Sequence, residues 1–166
     1  MFVRTAENGE FAAIGELRVA AYIAQGVPPT SPYTDVLRNV GMSTPGDVLV
    51  MLDNGQIIGT VTLEPFHPGS EIAKVPDEAE VRALAVAPGA QGRGAGKALV
   101  RAVIERASAS GVRHLLLSTR PTMEAARHLY LAAGFTRLPA RDWSPAPDIG
   151  LLAYGLRLPA RRAAGK

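Results

Sequence analysis

The order of apolar and polar residues along this chain predicts alternating strands and helices. Apolar residues that recur every three or four positions indicate helices, and short apolar runs rich in branched side chains indicate strands. The predicted helices cover residues 9–25, 33–40, 93–110 and 123–133. The predicted strands cover residues 2–5, 47–52, 56–63, 81–86, 113–118, 135–138 and 150–158. This order predicts an α/β fold with a mixed sheet.

Turn-forming residues mark the connections between these elements. Asn54-Gly55 lies between two apolar runs and predicts a hairpin. Residues 64–78 are polar and contain three prolines, so they are predicted to form a loop of the kind that contacts substrates. Residues 142–148 are predicted to form another loop, and Thr122 is a predicted N-cap. No repeat or linker interrupts the pattern, so residues 1–158 are predicted to form one domain.

The composition excludes several classes of protein. The 166 residues are 47% apolar, which is sufficient for a domain with a sizeable core. The absence of cysteine excludes disulfides, thiolate metal sites and a cysteine nucleophile, and three scattered histidines give no metal spacing, so no metal is expected. No signal-like segment or membrane-length apolar run is present. We therefore expect a cytoplasmic protein without a membrane partner.

The net charge of +3 makes the chain only mildly basic. Aromatic residues make up 5% of it and no helix is densely basic, so a nucleic-acid partner is not expected. Residues 159–166 hold part of the positive charge and lack apolar side chains that could pack. We predict that they form a basic, flexible tail.

A glycine-rich stretch, Gln-Gly-Arg-Gly-Ala-Gly at residues 91–96, separates a predicted strand from a predicted helix. Glycine lets the backbone approach a ligand, and the first amides of a helix lack internal partners, so this order favours phosphate binding. A nucleotide P-loop is excluded, because Gln91 replaces its first glycine and Ala98 replaces its hydroxyl residue. A dinucleotide fingerprint is excluded, because its last glycine would fall on Lys97. The remaining alternative is a glycine-rich connection that serves packing alone.

Residues 91–96 fit the pattern Gln/Arg-x-x-Gly-x-Gly/Ala, which resembles the coenzyme A loop of the GNAT superfamily of N-acetyltransferases. Leu129-Tyr130, followed by Gly134-Phe135, resembles the second signature of that family. One predicted helix and one predicted strand lie between the two motifs, as the family requires. The resemblance covers roughly residues 48–138 well, and the ends of the chain match only in outline.

The resemblance implies a mixed, mostly antiparallel β-sheet flanked by helices on both faces, with acetyl-coenzyme A as the co-substrate and no metal. Many relatives carry asparagine where this chain has Met123, and Ser118 is expected to supply a polar contact instead. The implied cofactor-binding residues are Leu84, Ala85, Val86, Gln91, Gly92, Arg93, Gly94, Ala95, Gly96, Lys97, Ser118, Met123, Ala126 and Tyr130.

The resemblance also implies acetyl transfer to a primary amine by direct attack in a ternary complex. Glu80 matches the family's basic glutamate, Tyr130 matches its tyrosine acid, and the amide of Val86 is the implied oxyanion donor. Two structural alternatives stand beside these roles. Glu80 could pair with Arg82, which lies two residues along the same face of the strand, and Tyr130 could be a packed core residue.

The first two helices wall the acceptor site in the family, so Tyr22, Tyr33 and Glu80 are candidate substrate-binding residues. For both tyrosines the alternative is helix packing. The acidic residues of the 64–78 loop favour a cationic acceptor, either a small molecule or a protein amine. A non-catalytic coenzyme A-binding sensor or interaction module of the same fold is the alternative function. A homodimer is expected only because it is common among relatives.

Overall fold

The computed structural model describes residues 1–43 and 45–160. Every predicted helix and strand is present. The helices are α1 (Phe11–Ala24), α2 (Tyr33–Asn39), α3 (Ala95–Ala109) and α4 (Glu124–Ala132). The strands are β1 (Phe2–Thr5), β2 (Asp47–Asp53), β3 (Gln56–Pro65), β4 (Glu78–Val86), β5 (His114–Thr119), β6 (Thr136–Arg137), β7 (Trp143–Ala146) and β8 (Ile149–Arg157). Short 3-10 turns cover Asn8–Glu10, Pro88–Ala90 and Pro139–Arg141.

The chain divides into two compact units. Unit 1 contains Met1–Glu64 and Val81–Val103, and unit 2 contains Pro65–Glu80 and the described residues from Ile104 onward. Unit 1 has the strand order β1-β2-β3-β4, and unit 2 has the order β4-β5-β8-β6, with β7 paired to β8. The β4–β5 pair is parallel, and the pairs β1–β2, β2–β3, β5–β8, β6–β8 and β7–β8 are antiparallel. The mixed, mostly antiparallel sheet is confirmed, whereas the single domain over residues 1–158 stays a prediction.

Helices cover both faces of the sheet in unit 1. Val48 and Val50 of β2 share one face of the strand and pack against Ile14 of α1. On the opposite face, Gly59 of β3 lies so close to α3 that an added Cβ would sit 2.8 Å from Cδ1 of Leu99. A larger residue would have to displace this methyl group and would also sit 3.2 Å from the backbone carbonyl oxygen of Ala85. The two-faced arrangement therefore follows from the alternation of side chains along β2 and from a missing side chain in β3.

The core of unit 2 forms around β5. Leu115, Leu116 and Leu117 are all buried. Ile72 and Ala73, which belong to the connection between β3 and β4, are buried in a cluster with Leu116. This connection is therefore anchored in the core although it contains no helix or strand.

Three details of the predicted structure are wrong. Residues 142–148, predicted to be a loop, contain β7, whose Trp143 pairs with Leu151; prolines in this stretch mask the strand pattern. Met123 rather than Thr122 occupies the N-cap of α4, without a side-chain cap. Strand β4 begins at Glu78, before the apolar run, because Glu78 and Glu80 are buried as part of the strand.

The predicted tail at residues 159–166 lies only partly within the residues that the structure describes. Residues 159 and 160 are exposed, and residues 161–166 of the predicted tail lie outside the described residues. Within residues 1–43 and 45–160, no helix is both long enough and apolar enough to span a bilayer.

Candidate active site

Strand β4 carries a backbone irregularity directly before the residues predicted to hold the cofactor. Ala83 has a φ of 53°, in the left-handed region that residues other than glycine rarely adopt. Such a residue within a strand is typical of a β-bulge, which interrupts the ladder and redirects the strand. Packing against Val19, Leu37 and Val40 of the first two helices holds Ala83 in place. Residues 84–86 follow directly, and their contact with a pantetheine arm stays a prediction.

Residues 91–94 and the first turn of α3 form an open backbone cradle in unit 1. Gly92 and Gly94 have φ values of 78° and 82°, which glycine adopts without strain. A Cβ added at either position would meet no atom within 4 Å. Within the part of the chain that the structure describes, the N–H groups at the start of α3 have no acceptor until Ala98. The N–H of Ala98 donates to the carbonyl of Gly94 at 3.1 Å. Exposed donors beside free space are what a diphosphate requires, so the residues present fit this group.

The two basic side chains of this cradle differ in their contacts. Arg93 is half exposed and forms an ion pair with Asp53, the last residue of β2. This pair joins the cradle to the neighbouring hairpin. Lys97, in the first turn of α3, is exposed. Lys97 is therefore better placed than Arg93 to add positive charge for an anionic ligand.

The structure brings the two predicted acceptor-site tyrosines together in unit 1. The ring centroids of Tyr22 in α1 and Tyr33 in α2 lie 6.1 Å apart, with their planes inclined by 47°. Tyr33 is 38% exposed, whereas Tyr22 is half buried against the Val19 cluster. Such a pair offers apolar ring faces together with polar hydroxyl groups. Their role in acceptor binding stays a prediction.

A buried arginine between α1, α2 and β3 was missed by the sequence analysis. Arg18 has no exposed surface. Its guanidinium donates to the carbonyls of Leu37 at 2.9 Å and Val40 at 2.8 Å, and to the Thr62 hydroxyl at 2.9 Å. Burial lowers the pKa of Arg18 to about 10, so it remains charged at neutral pH. The signal in the sequence is a basic residue four positions after Ile14, on the apolar face of α1.

A buried ion pair joins β3 and β4 in unit 1. Nη1 of Arg82 donates to Oε2 of Glu64 at 3.0 Å, and both side chains are largely buried. In unit 2, Arg141 likewise pairs with Glu78 at 2.8 Å. Two of the acids that favour a cationic acceptor are therefore already paired with arginines. This weakens the inference from the acidic loop.

Glu80 is buried and bound to the connection between β3 and β4. Its side chain accepts hydrogen bonds from the N–H of Glu71 at 3.1 Å and from the N–H of Ile72 at 3.3 Å. Glu80 itself is only 2% exposed. A carboxylate offers about four acceptor positions, so these two bonds are compatible with a further proton transfer. The role of Glu80 as a base stays a prediction.

Tyr130 lies near the end of α4 and is buried. Gly134 has a φ of 101° and ends the helix, which lets the N–H of Phe135 bond back to the carbonyl of Tyr130 at 3.0 Å. The rings of Tyr130 and Phe135 then meet edge to face, with centroids 5.8 Å apart. The Leu-Tyr-x-x-x-Gly-Phe signature thus fixes the orientation of one tyrosine. Its role as an acid stays a prediction.

The other predicted cofactor contacts also lie in unit 2. The hydroxyl of Ser118, in β5, accepts a hydrogen bond from the indole N–H of Trp143 at 3.2 Å. Met123 and Ala126, at the start of α4, are half buried. The sequence predicts Trp143 in a loop, as an aromatic wall for the acceptor, and does not predict its strand or its hydrogen bond to Ser118. Among the described residues, no three histidine or acidic side chains are grouped so that they could hold a metal ion.

Strand β4 of the mixed sheet leads through the glycine cradle into α3, which is the order that the first sequence motif predicts. Residues 11–135 match the Acetyltransferase (GNAT) family. The chain belongs to this family, as the two sequence motifs predict.

Comparisons with individual proteins agree with this assignment. The chain is 33% identical over 120 residues to the mycothiol acetyltransferase of Cellulomonas flavigena; the match covers 69% of this chain and 33% of the relative, so the chain spans about one third of that protein. A GNAT-family acetyltransferase from Staphylococcus aureus Mu50 superposes with a TM-score of 0.74 at 17% identity, over 95% of this chain and 99% of the other. The yncA protein of Salmonella typhimurium, solved with its cofactor acetyl-coenzyme A, gives a TM-score of 0.72 at 21% identity, over 99% and 98%. These structures confirm the predicted fold.

Proposed function

We propose that this protein transfers an acetyl group from acetyl-coenzyme A to a primary amine. The open backbone cradle at residues 91–96 carries the proposal, because it combines glycine conformations, free space and unpartnered helix amides. Family membership supports it, since GNAT acetyltransferases use acetyl-coenzyme A. The acceptor is a small-molecule or protein amine, and a cytoplasmic location and a homodimer remain expectations.

In this proposal the protein backbone binds acetyl-coenzyme A, the donor of the acetyl group. The N–H groups of residues 91–96 bind the diphosphate, and the positive end of the α3 dipole and the Lys97 ammonium add to the attraction. The backbone of residues 84–86 binds the pantetheine arm, as a neighbouring strand would. Ser118, Met123 and Ala126 are further proposed contacts of the cofactor.

Bound acetyl-coenzyme A would supply an acetyl thioester. Glu80 takes a proton from the acceptor, directly or through water, because a lysine-like amine with a pKa of about 10.4 is protonated at neutral pH. The amine nitrogen then forms the new C–N bond while the C–S bond breaks, and the second proton of the nitrogen leaves to water as the amide forms. The Val86 amide stabilises the developing oxyanion. Tyr130 gives its hydroxyl proton to the departing sulfur.

A panel of acceptor amines tests the proposed function. The panel contains small amines, amino acids, polyamines, and peptides with a free N-terminus or a lysine side chain. Release of the coenzyme A thiol is followed together with the mass of the product. We expect an acetylated product from at least one class. Tight binding of acetyl-coenzyme A with no transfer to any acceptor would contradict the proposal and favour the non-catalytic coenzyme A-binding module.

Tyr130→Phe should lower kcat about tenfold or more, because the sulfur would leave without a proton donor. Binding of acetyl-coenzyme A should stay within about twofold of wild type, since the ring and its packing remain. Tyr154→Phe is the matched control, because Tyr154 is also a buried tyrosine of unit 2 and has no role in the proposed chemistry. Wild-type kcat in Tyr130→Phe would refute the acid role.

Glu80→Gln should reduce kcat/KM about a hundredfold and remove the acidic limb of its pH profile, because the base is lost. The amide also loses one acceptor for the N–H groups of Glu71 and Ile72. The pH profile separates the two effects, since a purely structural loss scales the rate without abolishing the limb. A profile with an unchanged limb would show that Glu80 is not the base.

A further inference from the structure

Two glutamates of β4 hold the same segment of the β3–β4 connection. Glu78 and Glu80 are alternate residues of the strand and therefore share a face. Glu80 accepts the N–H groups of Glu71 and Ile72. Glu78 accepts two further N–H groups at its Oε1, from Lys74 at 2.8 Å and Val75 at 3.3 Å. Residues 71–75 form no helix or strand and therefore lack regular hydrogen bonds between backbone groups. The bonds to Glu78 and Glu80 hold the segment instead.

Arg141 completes the arrangement from the 3-10 turn before β7. Its Nη1 donates to the carbonyl of Ile72 at 2.7 Å, and its two terminal nitrogens donate to both oxygens of Glu78 at 3.2 and 2.8 Å. The peptide groups of Ile72 are thus held on both sides, with the N–H on Glu80 and the carbonyl on Arg141. Bidentate pairs between a guanidinium and a carboxylate are among the strongest hydrogen-bonded contacts in proteins.

We propose that Glu78 and Arg141 are positioning residues for the proposed base, and that they act on Glu80 through residues 71–75. The inference rests on the proposed function of Glu80. Amide donors favour the ionised form of a carboxylate and fix its orientation. Because the 71–75 segment supplies these donors, its position sets both the proton affinity of Glu80 and the access of an amine to it. Loosening Glu78 or Arg141 would then change catalysis without touching the reacting groups.

The groups around Glu78 keep its carboxylate ionised at neutral pH, so its hydrogen bonds to residues 74 and 75 and to Arg141 persist. Burial raises the pKa of Glu78, but hydrogen bonds from Arg141 and from the amides of Lys74 and Val75 outweigh it and hold the pKa below its ordinary value of 4.5. His114, with Nδ1 at 3.5 Å from Glu78, has a pKa lowered by burial and by the nearby Arg157. The stabilising effect of ionised Glu78 is therefore present above pH 4.5 and lost as the pH falls below it.

Hydrogen exchange and pH–rate profiles of Glu78→Gln test the inference. We expect the amides of residues 71–75 to exchange about tenfold faster than in wild type. With the acceptor found in the panel, the acidic limb of kcat/KM should move to higher pH by about half a unit or more, while KM for acetyl-coenzyme A stays within about twofold. Arg141→Lys keeps the charge but not the bidentate geometry, so it should also speed exchange at residues 71–75 and move the acidic limb of kcat/KM to higher pH. This second variant keeps the inference testable if Glu78→Gln does not fold.

Glu10→Gln is the matched control. Glu10 also makes a bidentate pair, with Arg4, and also accepts a backbone N–H, from Glu7. This variant should leave exchange at residues 71–75 and the pH profile unchanged.

The possible results separate this inference from the proposed function. Unchanged exchange at residues 71–75 in both variants would overturn the holding role of Glu78 and Arg141. Faster exchange with an unmoved acidic limb would overturn their action on Glu80. A wild-type protein with no transferase activity would refute the proposed function and with it the catalytic half of this inference, whereas the exchange data would still decide the structural half.

Discussion

Gly94→Glu is expected to weaken acetyl-coenzyme A binding about a hundredfold or more, because two effects act at once. The new side chain occupies the open space where a diphosphate would lie, and its carboxylate repels that group. No protein atom lies within 4 Å of the added Cβ, so the substitution creates no clash within the folded chain. The positive φ of 82° adds strain of about 1–2 kcal/mol. Isothermal titration with acetyl-coenzyme A measures the change.

Gly111→Glu separates the loss of binding from the strain. Gly111 follows the other end of α3, has a φ of 83°, and also has no atom within 4 Å of an added Cβ. Both variants therefore carry the same charge change and nearly the same backbone strain. We expect Gly111→Glu to lose similar stability and to bind acetyl-coenzyme A like wild type. Equal binding by the two variants would place the diphosphate elsewhere.

Arg18→Met is expected to lower the free energy of unfolding by about 3 kcal/mol. Methionine fills part of the volume but leaves the carbonyls of Leu37 and Val40 and the hydroxyl of Thr62 without their buried donor. The two carbonyls lie at the end of α2, where the helix supplies no donors of its own. The loss should therefore loosen α2 first. Chemical denaturation measures the total, and hydrogen exchange over residues 33–40 locates it.

Arg38→Met is the control for Arg18→Met. Arg38 lies on α2 and pairs with Glu16 at the surface, where both side chains are well exposed. An exposed pair of this kind contributes about 1 kcal/mol or less. A stability loss in Arg18→Met no larger than that in Arg38→Met would show that the buried hydrogen bonds of Arg18 do not hold α2.

Local patterns in the sequence predict most of the fold, because each depends on a few neighbouring residues. Asn54-Gly55 predicts its hairpin correctly, and both residues have the positive φ that this turn needs. The glycine cradle is predicted because glycines, a preceding strand and a following helix form a local sequence. Strand β7 is missed because its proline and its short length are typical of a loop, and its pairing with β8 is visible only in three dimensions.

Contacts between distant residues could not be predicted in the same way. The hydrogen bond from Arg18 to Thr62 joins positions 44 residues apart. The bond from Arg141 to Ile72 joins positions 69 apart. Two charged residues in a strand pattern at positions 78 and 80 are visible in the sequence, but their backbone partners are not. The sequence therefore identifies Glu80 as a candidate base without revealing the segment that holds it.

A crystal structure of the protein with acetyl-coenzyme A would show whether the cradle at residues 91–96 binds the diphosphate. The diphosphate oxygens should lie about 2.7–3.2 Å from backbone nitrogens of residues 91–96, with Gly92 and Gly94 keeping their positive φ values. A diphosphate bound elsewhere, or a cradle filled by side chains of the protein itself, would show that residues 91–96 do not hold the cofactor.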